Sequence, residues 1–182
     1  MKNKAVFLDR DGVINRKAPE GKYIERWDEI VILPGVDDAI KRLNEAGYRV
    51  IVVTNQRGVA TGKIRLSEVD HIHEQLIRGL AKKGATIDNI YYCPHELDKK
   101  CECRKPEPGM LRRAVDEFDI EMRLSWMVGD SASDVLAGQR AGCRTVLISE
   151  GFNRTPSGLA DVVVANLSQA VESILQLDTF PL

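Results

Sequence analysis

Two carboxylates directly after an apolar run have the spacing in this chain that most clearly suggests chemistry. Asp9 and Asp11 follow the apolar residues 5–8, which are typical of a buried strand, and Gly12 allows a sharp turn behind them. Side chains at i and i+2 of an extended segment point the same way, so both carboxylates face one small volume. Two such charges repel each other unless a cation neutralises them or they share a proton. The pattern predicts a cation site or an acid/base pair, although a turn with one capping Asp could contain the same residues.

The composition is that of an ordinary soluble globular protein. Of 182 residues, 43% are hydrophobic and 29% are charged, and the 26 basic residues nearly balance the 27 acidic ones. Because no field of either sign dominates, we expect no nucleic-acid partner. No apolar run reaches the roughly 18 residues of a membrane-spanning helix, and the apolar run before Asp9 is too short for a signal peptide. We therefore expect a cytoplasmic protein without membrane contact, whose cysteines are reduced.

Short apolar runs alternate with amphipathic stretches along the chain. The runs are rich in Val and Ile and continuous, as expected for strands that are covered on both faces. The predicted strands are 5–8, 49–53, 90–92, 126–128, 145–148 and 162–164. Predicted helices begin near Pro34, Ser67, Pro108, Ser133 and Ser168, with Ser67 as the N-cap of the second. This alternation predicts a parallel, doubly wound, Rossmann-like α/β sheet with helices on both faces.

Polar side chains follow four of the predicted strands. They are Asp9 and Asp11, then Thr54, Asn55 and Gln56, then, after a cysteine-rich loop, Arg104 and Lys105, and finally Asp130. In doubly wound sheets these positions meet at one edge, where ligands bind. Three carboxylates prefer Mg²⁺, and a lysine with a hydroxyl can hold phosphoryl oxygens. The set therefore suits phosphoryl transfer, with one carboxylate as nucleophile and a second as acid and base.

These residues resemble the four motifs of the haloacid dehalogenase-like phosphatases, in that family's order. The motifs are Asp9-x-Asp11-Gly12, Thr54-Asn55, Lys105 and Gly129-Asp130-x-x-x-Asp134. The resemblance implies that Asp9 is the nucleophile and Asp11 the general acid and base. It also implies that Thr54 and Lys105 steady the phosphoryl group. Mg²⁺ would be held by the Asp9 carboxylate, the Asp11 carbonyl and Asp130. Asp134 would support the metal site or Lys105.

Four soft ligands lie close together after the third predicted strand. They are Cys93, His95, Cys101 and Cys103. Three thiolates and one imidazole can form a complete tetrahedral zinc site, and a complete ligand set favours a structural role over a catalytic one. Such a site would stiffen the loop 93–105, which leads into Lys105. The alternative is a group of reduced thiols beside an unrelated histidine.

The surrounding residues are similar to two related groups, the D-glycero-D-manno-heptose 1,7-bisphosphate 7-phosphatases and the histidinol-phosphate phosphatases. Residues 54–62, 90–95 and 105–110 are more similar to the heptose group, whereas the short gap between His95 and Cys101 is closer to the other. The resemblance implies a small sugar phosphate as substrate, with Arg104 on its distal phosphate. The implied substrate contacts are Asp9, Arg10, Asp11, Thr54, Asn55, Gln56, Arg57, Arg104 and Lys105.

We expect one domain, spanning residues 1–182, that acts as a monomer. Residues 15–33 would form a flap over the site, and the chain has no segment long enough for a large cap domain. A phosphomutase would need such a cap, so hydrolysis is favoured. A non-catalytic metal-binding scaffold is the alternative of a different class, but neither the nucleophile nor the lysine is missing. His71 and His73 do not face each other on a helix, and we expect both at the surface.

Overall fold

In a computed structural model, residues 2–149 and 159–179 of the chain are described. Within these residues, six parallel strands form one sheet in the order β3-β2-β1-β4-β5-β6. The strands are β1 (Lys4–Leu8), β2 (Tyr48–Asn55), β3 (Asn89–Cys93), β4 (Trp126–Gly129), β5 (Arg144–Ile148) and β6 (Val162–Val164). The helices are α1 (Val36–Glu45), α2 (Leu66–Ala81), α3 (Gly109–Phe118), α4 (Ala132–Ala141) and α5 (Leu167–Thr179). The predicted doubly wound α/β sheet is confirmed.

Successive side chains of the central strand enter two different hydrophobic cores. Val6 and Leu8 pack in a core that also contains apolar residues of α1 and α5. Ala5 and Phe7 pack on the other face, in a core that includes residues of α3 and α4. All four side chains are fully buried. The continuous apolar run of β1 is therefore explained by helices that cover both faces of the sheet.

The second helix begins differently from the sequence prediction. Its first residue is Leu66, its N-cap is Arg65 without a side-chain hydrogen bond, and Ser67 lies inside the first turn. The predicted N-cap at Ser67 is therefore wrong. Val69 and Ile72, in the first two turns, are buried in a cluster with Ile24 and Ile64. The helix begins before Ser67, and its apolar face is buried by tertiary packing. A local capping pattern in the sequence carries no information about this packing.

The sheet has its topological switch at the edge where the polar motifs lie. The chain leaves β1 for β2 on one side, and later returns to β4 on the other side of β1. The carboxyl ends of β1 and β4 thus border the crevice in which ligands of such sheets bind. The long connection from β1 to α1 contains one short 3-10 helix, Trp27–Glu29. No helix among the described residues combines the length and hydropathy needed to cross a bilayer.

Candidate active site

A polar cavity of about 260 Å³ lies at the carboxyl ends of β1, β2 and β4. The predicted motif residues that line it are Asp9, Arg10, Asp11, Thr54, Asn55, Gln56, Lys105, Asp130 and Asp134. Lys17, Tyr23 and Ile24, which belong to the predicted flap 15–33, line the same cavity. Four segments that are distant in sequence are therefore brought to one site, as the strand order predicts.

A buried lysine connects two carboxylates at the floor of the cavity. The Nζ atom of Lys105 donates to Asp9 Oδ1 at 2.8 Å and to the carbonyl of Val53 at 2.7 Å. The same nitrogen lies 2.6 Å from Asp134 Oδ1. Asp134 Oδ2 accepts from the backbone N–H and the hydroxyl of Ser131, the N-cap of α4. Asp134 thus ties the start of α4 to the lysine.

Burial and the paired charges shift the pKa values of Asp9 and Lys105 in opposite directions. Burial raises the pKa of Asp9 to about 7, although the Lys105 ammonium opposes the rise and the Asp134 and Asp11 charges add to it. Burial by itself would lower the pKa of Lys105, but its two carboxylate partners raise it above the usual value. The lysine therefore stays charged, and the Asp9 carboxyl needs a further cation nearby to be fully ionised at neutral pH.

Asp130, the third carboxylate of the cavity, is paired with Lys17 of segment 15–33. Its Oδ2 atom lies 2.5 Å from the Nζ atom of Lys17. Burial raises the pKa of Asp130, and Lys17 opposes this rise. Gly12 makes the close approach possible, because its φ is +93° and a Cβ there would lie 1.8 Å from Asp130 Oδ2. A carboxylate oxygen from each of Asp9, Asp130 and Asp134 lies within 4.8 Å of the others, a spacing that fits one divalent cation.

Asp11 lines the same cavity but is not part of this carboxylate group, and its side chain is held by hydrogen-bond donors. Both of its oxygens accept from the guanidinium of Arg10, at 2.9 to 3.2 Å, and Asn15 donates to Oδ1 at 2.9 Å. Gln56 Nε2 reaches Oδ2 at 3.2 Å. Burial acts to raise the pKa of Asp11, but the Arg10 charge and these hydrogen bonds hold it below its usual value. In this geometry Asp11 is a carboxylate.

The polar residues at and after the end of β2 form hydrogen bonds to other residues of the cavity. Gln56 Nε2 lies 2.9 Å from Thr54 Oγ1, so one amide joins the threonine to Asp11. Asn55 accepts from the Lys105 backbone N–H at 3.1 Å and donates to the Lys105 carbonyl at 3.2 Å. These two hydrogen bonds fix the backbone of Lys105 to the end of β2. Lys105 is therefore held at its backbone by Asn55 and at its Nζ atom by Asp9 and the Val53 carbonyl.

Arg57 and Arg104 lie outside the first cavity. Arg57 pairs through Nε with Glu96 of the loop 93–105. Arg104 donates to the carbonyl of His95 at 3.2 Å. It lines an adjacent cavity of about 430 Å³, together with Lys99 and Lys100, and that cavity shares Asn55 and Lys105 with the first. The second cavity is therefore positively charged and opens beside the carboxylate floor.

The four predicted zinc ligands lie in one cluster. The three sulfur atoms of Cys93, Cys101 and Cys103 are 3.1 to 3.7 Å apart. His95 Nδ1 lies 3.5 Å from the Cys93 sulfur and 3.2 Å from that of Cys103. Zinc–sulfur bonds of about 2.3 Å place sulfurs about 3.8 Å apart around a tetrahedral ion, so the donor set fits zinc. Burial and the neighbouring sulfurs raise the pKa of Cys103 to about 12. At Cys101 burial also acts to raise the pKa, but hydrogen bonds from the Arg104 backbone and the Cys103 thiol outweigh it and lower the pKa.

The cysteine loop packs tightly against the start of α3. Gly109 N–H donates to the Glu102 carbonyl at 2.9 Å, and a Cβ on Gly109 would lie 2.3 Å from that oxygen. Only a residue without a side chain fits there. Lys105 lies two residues after Cys103, so only a short length of chain joins the cysteine cluster to the lysine.

Comparison with known proteins places this geometry in a family. The family described as HAD-hydrolase-like matches residues 102–170. The D-glycero-β-D-manno-heptose-1,7-bisphosphate 7-phosphatase of Pseudomonas putida is 42% identical over 148 residues, which cover 81% of this chain and 83% of that protein. The enzyme of the same name from Escherichia coli K12 is 38% identical and covers 93% of both chains. This chain belongs to the haloacid dehalogenase-like phosphatases. It is therefore a phosphomonoester hydrolase.

A solved structure of one relative agrees with this assignment. The D,D-heptose 1,7-bisphosphate phosphatase of Bordetella bronchiseptica, complexed with magnesium and phosphate, is 37% identical to this phosphatase. The match covers 95% of this chain and 98% of that one, with a TM-score of 0.85. The resemblance predicted from the motifs is thereby confirmed, and the non-catalytic scaffold is set aside.

Two residues of this phosphatase have positions that the sequence did not predict. Lys17 belongs to none of the four sequence motifs, yet its side chain forms an ion pair with Asp130. His73 was expected at the surface, but it is 5% exposed and contacts Arg10, whereas His71 is exposed as expected. The spacing of the two histidines on α2 does place them on different faces, and this is the signal that could have separated their environments.

Proposed function

We propose that this phosphatase removes the 7-phosphate of D-glycero-D-manno-heptose 1,7-bisphosphate through a phosphorylated aspartate. One observation carries the proposal: the Asp9 carboxylate lies at the floor of a polar cavity, 2.8 Å from a buried lysine and beside Asp130. The names of the relatives support the substrate, and the agreement of motif order with the described contacts supports the roles of the residues.

In the first step, an oxygen of Asp9 attacks phosphorus and the bond from phosphorus to the sugar oxygen breaks. The leaving oxygen takes a proton from Asp11. In the second step, a water molecule gives its proton to Asp11 and attacks phosphorus, which releases phosphate and restores Asp9. Asp11 is a carboxylate in the resting site, so it must take up a proton from solvent as substrate binds before it can protonate the leaving oxygen.

The phosphoryl oxygens would be held by Lys105 and Thr54. Both side chains are buried, so their charge and hydroxyl act where little water competes. The Asp9 and Asp130 carboxylates and the Asp11 carbonyl would hold Mg²⁺, which would screen the repulsion between the phosphate and Asp9. The relative from Bordetella, complexed with magnesium and phosphate, supports magnesium as the cation.

The second cavity is suited to the other phosphate of a bisphosphate. Arg104, Lys99 and Lys100 line it, and it shares Lys105 with the first cavity. A guanidinium can bind two phosphate oxygens at once, and we assign the 1-phosphate to Arg104. This charge distribution favours a bisphosphate over histidinol phosphate, which carries a single phosphate.

A substrate panel tests the proposed function. The heptose 1,7-bisphosphate should give a kcat/KM at least about tenfold above those of the heptose 7-phosphate and histidinol phosphate, because Arg104 contributes a charged contact. Phosphate release gives the rates, and phosphorus NMR shows which phosphate leaves. Faster turnover of histidinol phosphate, or loss of the 1-phosphate, would contradict the assignment of substrate.

Zinc removal should loosen the loop that carries Lys105. The purified protein should contain about one zinc per chain, measured by atomic emission, because the four donors form a complete site. Cys101→Ser should lower zinc content and kcat together. Cys143→Ser is the matched control, since Cys143 is buried elsewhere and its thiol donates to the Gly138 carbonyl. A zinc-free protein with unchanged melting temperature would refute the structural zinc.

Lys17 should compete with Mg²⁺ for Asp130. Lys17→Met should tighten Mg²⁺ binding about fivefold, because an exposed ion pair of about 1 kcal/mol no longer has to break first. Calorimetric titration of the protein with Mg²⁺ measures the change. Lys22→Met, an exposed flap residue, is the control and should leave the affinity unchanged. Equal affinities for all three proteins would show that the ion pair does not oppose the metal.

A further inference from the structure

Arg10 and His73 form a buried contact behind the catalytic loop. Their side chains belong to residues 63 apart in sequence, and Arg10 Nη1 lies 3.2 Å from His73 Nε2. Arg10 is 1% exposed and His73 is 5% exposed. A guanidinium buried this deeply needs partners for its donors, because an unpaired buried charge is strongly destabilising.

The chemistry of the pair fixes the state of the histidine. A guanidinium has only donors, so the Nε2 atom of His73 must accept and the ring proton is on Nδ1. Burial, together with the Arg10 charge, lowers the pKa of His73 to about 3, which agrees with a neutral ring. His73 is thus a neutral acceptor for Arg10, and it does not supply a proton to the reaction.

The opposite edge of the same guanidinium holds Asp11. Nε donates to Oδ1 at 3.2 Å, and Nη2 donates to Oδ1 at 3.0 Å and to Oδ2 at 2.9 Å. The guanidinium is planar and rigid, so the direction of its Nη1 edge determines the direction of the edge that faces Asp11. His73 binds the first edge, and Asp11 binds the second.

The histidine is itself held in place by α2 and β3. Its ring packs edge-on against Tyr92, with centroids 5.2 Å apart, and the Tyr92 hydroxyl donates to Asp70 at 2.6 Å. Asp70 and His73 both lie on α2. The position of Arg10 is therefore set by a helix outside the catalytic loop.

We propose that His73 is a positioning residue for Asp11, because it fixes the guanidinium of Arg10 that holds the Asp11 carboxylate. The proposal rests on the proposed function, in which Asp11 moves the protons. Because His73 touches neither substrate nor reacting atoms, its loss should lower kcat while KM stays the same. The effect should also depend on how much the leaving group needs a proton.

Two variants separate positioning from packing. His73→Leu keeps apolar bulk but removes the acceptor, whereas His73→Gln keeps an acceptor for Arg10. They are compared on the sugar phosphate and on p-nitrophenyl phosphate, whose leaving group departs without a proton. The burst of nitrophenolate in rapid mixing reports only the first step, so it excludes the later water attack that also needs Asp11.

His73→Leu should lower kcat for the sugar phosphate about tenfold or more, while the burst rate with p-nitrophenyl phosphate changes less than about threefold. His73→Gln should recover most of the loss. If His73→Leu does not fold, His73→Asn replaces it, since this shorter amide draws the acceptor back from Arg10. An equal loss with both substrates, no loss, or a failure of His73→Gln to recover activity would overturn the proposal.

Parallel variants distinguish this failure from failure of the proposed function. Asp11→Asn should show the same dependence on leaving group as His73→Leu, and Asp9→Asn should lose both activities. If both hold while His73→Leu shows no such dependence, only the role of His73 is refuted. If Asp11→Asn slows both substrates equally, the role of Asp11 is refuted, and that of His73 with it.

Discussion

Asp9→Asn should reduce turnover below about one hundredth of the wild-type rate while the protein keeps its fold. The amide has nearly the same shape, and its oxygen can still accept from Lys105, which lies 2.8 Å from Asp9 Oδ1. It cannot attack phosphorus as a carboxylate does, so no phosphorylated enzyme should form. Steady-state phosphate release measures the loss, and mass spectrometry of acid-quenched protein detects the phosphorylated aspartate in the wild type only.

A matched control separates loss of the nucleophile from loss of a charge. Asp116→Asn makes the same change at an exposed position of α3, and should leave turnover within about twofold of wild type. Thermal melting of all three proteins tests folding. If Asp9→Asn keeps more than about one hundredth of the activity, the attack by Asp9 is refuted, whatever the substrate.

Lys105→Met should destabilise the metal-free protein by about 3 to 5 kcal/mol as well as abolish activity. The lysine is 4% exposed and lies between the carboxylates of Asp9 and Asp134, at 2.8 and 2.6 Å. Methionine fills similar space but leaves two buried acids without their cation. Urea unfolding in the presence of a chelator measures the change, because bound Mg²⁺ would replace part of the missing charge.

A second substitution tests the cause of this destabilisation. Asp134→Asn in the Lys105→Met background removes one of the unpaired charges, so it should recover part of the lost stability. The result that contradicts the charge explanation is a double variant no more stable than Lys105→Met. In that case lost packing, rather than unpaired carboxylates, would explain the single variant.

The stability loss should also depend on pH. Asp9 has a folded-state pKa of about 7, raised chiefly by burial, above the 3.8 of an unperturbed Asp. Between these values the folded state binds more protons than the unfolded state, so stability falls as the pH rises. Without Lys105 this fall should continue to higher pH, because the cation that opposes the rise in the pKa of Asp9 is gone. The deficit of Lys105→Met should therefore be smaller at about pH 5 than at about pH 8.

The carboxylates of the cavity are paired with two lysines that differ in burial. Lys105 pairs with both Asp9 and Asp134 inside the protein, and Lys17 of segment 15–33 pairs with Asp130. Asn55 also holds the backbone of Lys105 through two hydrogen bonds. The flap lysine is about half exposed, so it is the cation that a divalent ion can displace.

The sequence alone determined the sheet and the set of motif residues that line the cavity. Strand and helix patterns are local, and the parallel α/β rule brings the carboxyl ends of strands to one edge. Asp9, Thr54, Lys105 and Asp130 could therefore be predicted as neighbours, although Lys105 and Asp9 are 96 residues apart. The clustering of Cys93, His95, Cys101 and Cys103 could be predicted because these residues lie close together in sequence.

Only the tertiary structure decided which partner each polar side chain takes. Arg10 was expected to contact substrate, yet its guanidinium is buried between Asp11 and His73. Asp9 and Asp11 follow the same strand, but one is paired with Lys105 and the other with Arg10. A pattern in sequence gives the direction of a side chain along its strand. It does not contain the distant donors that decide the side chain's charge and contacts, because those donors come from other elements of the fold.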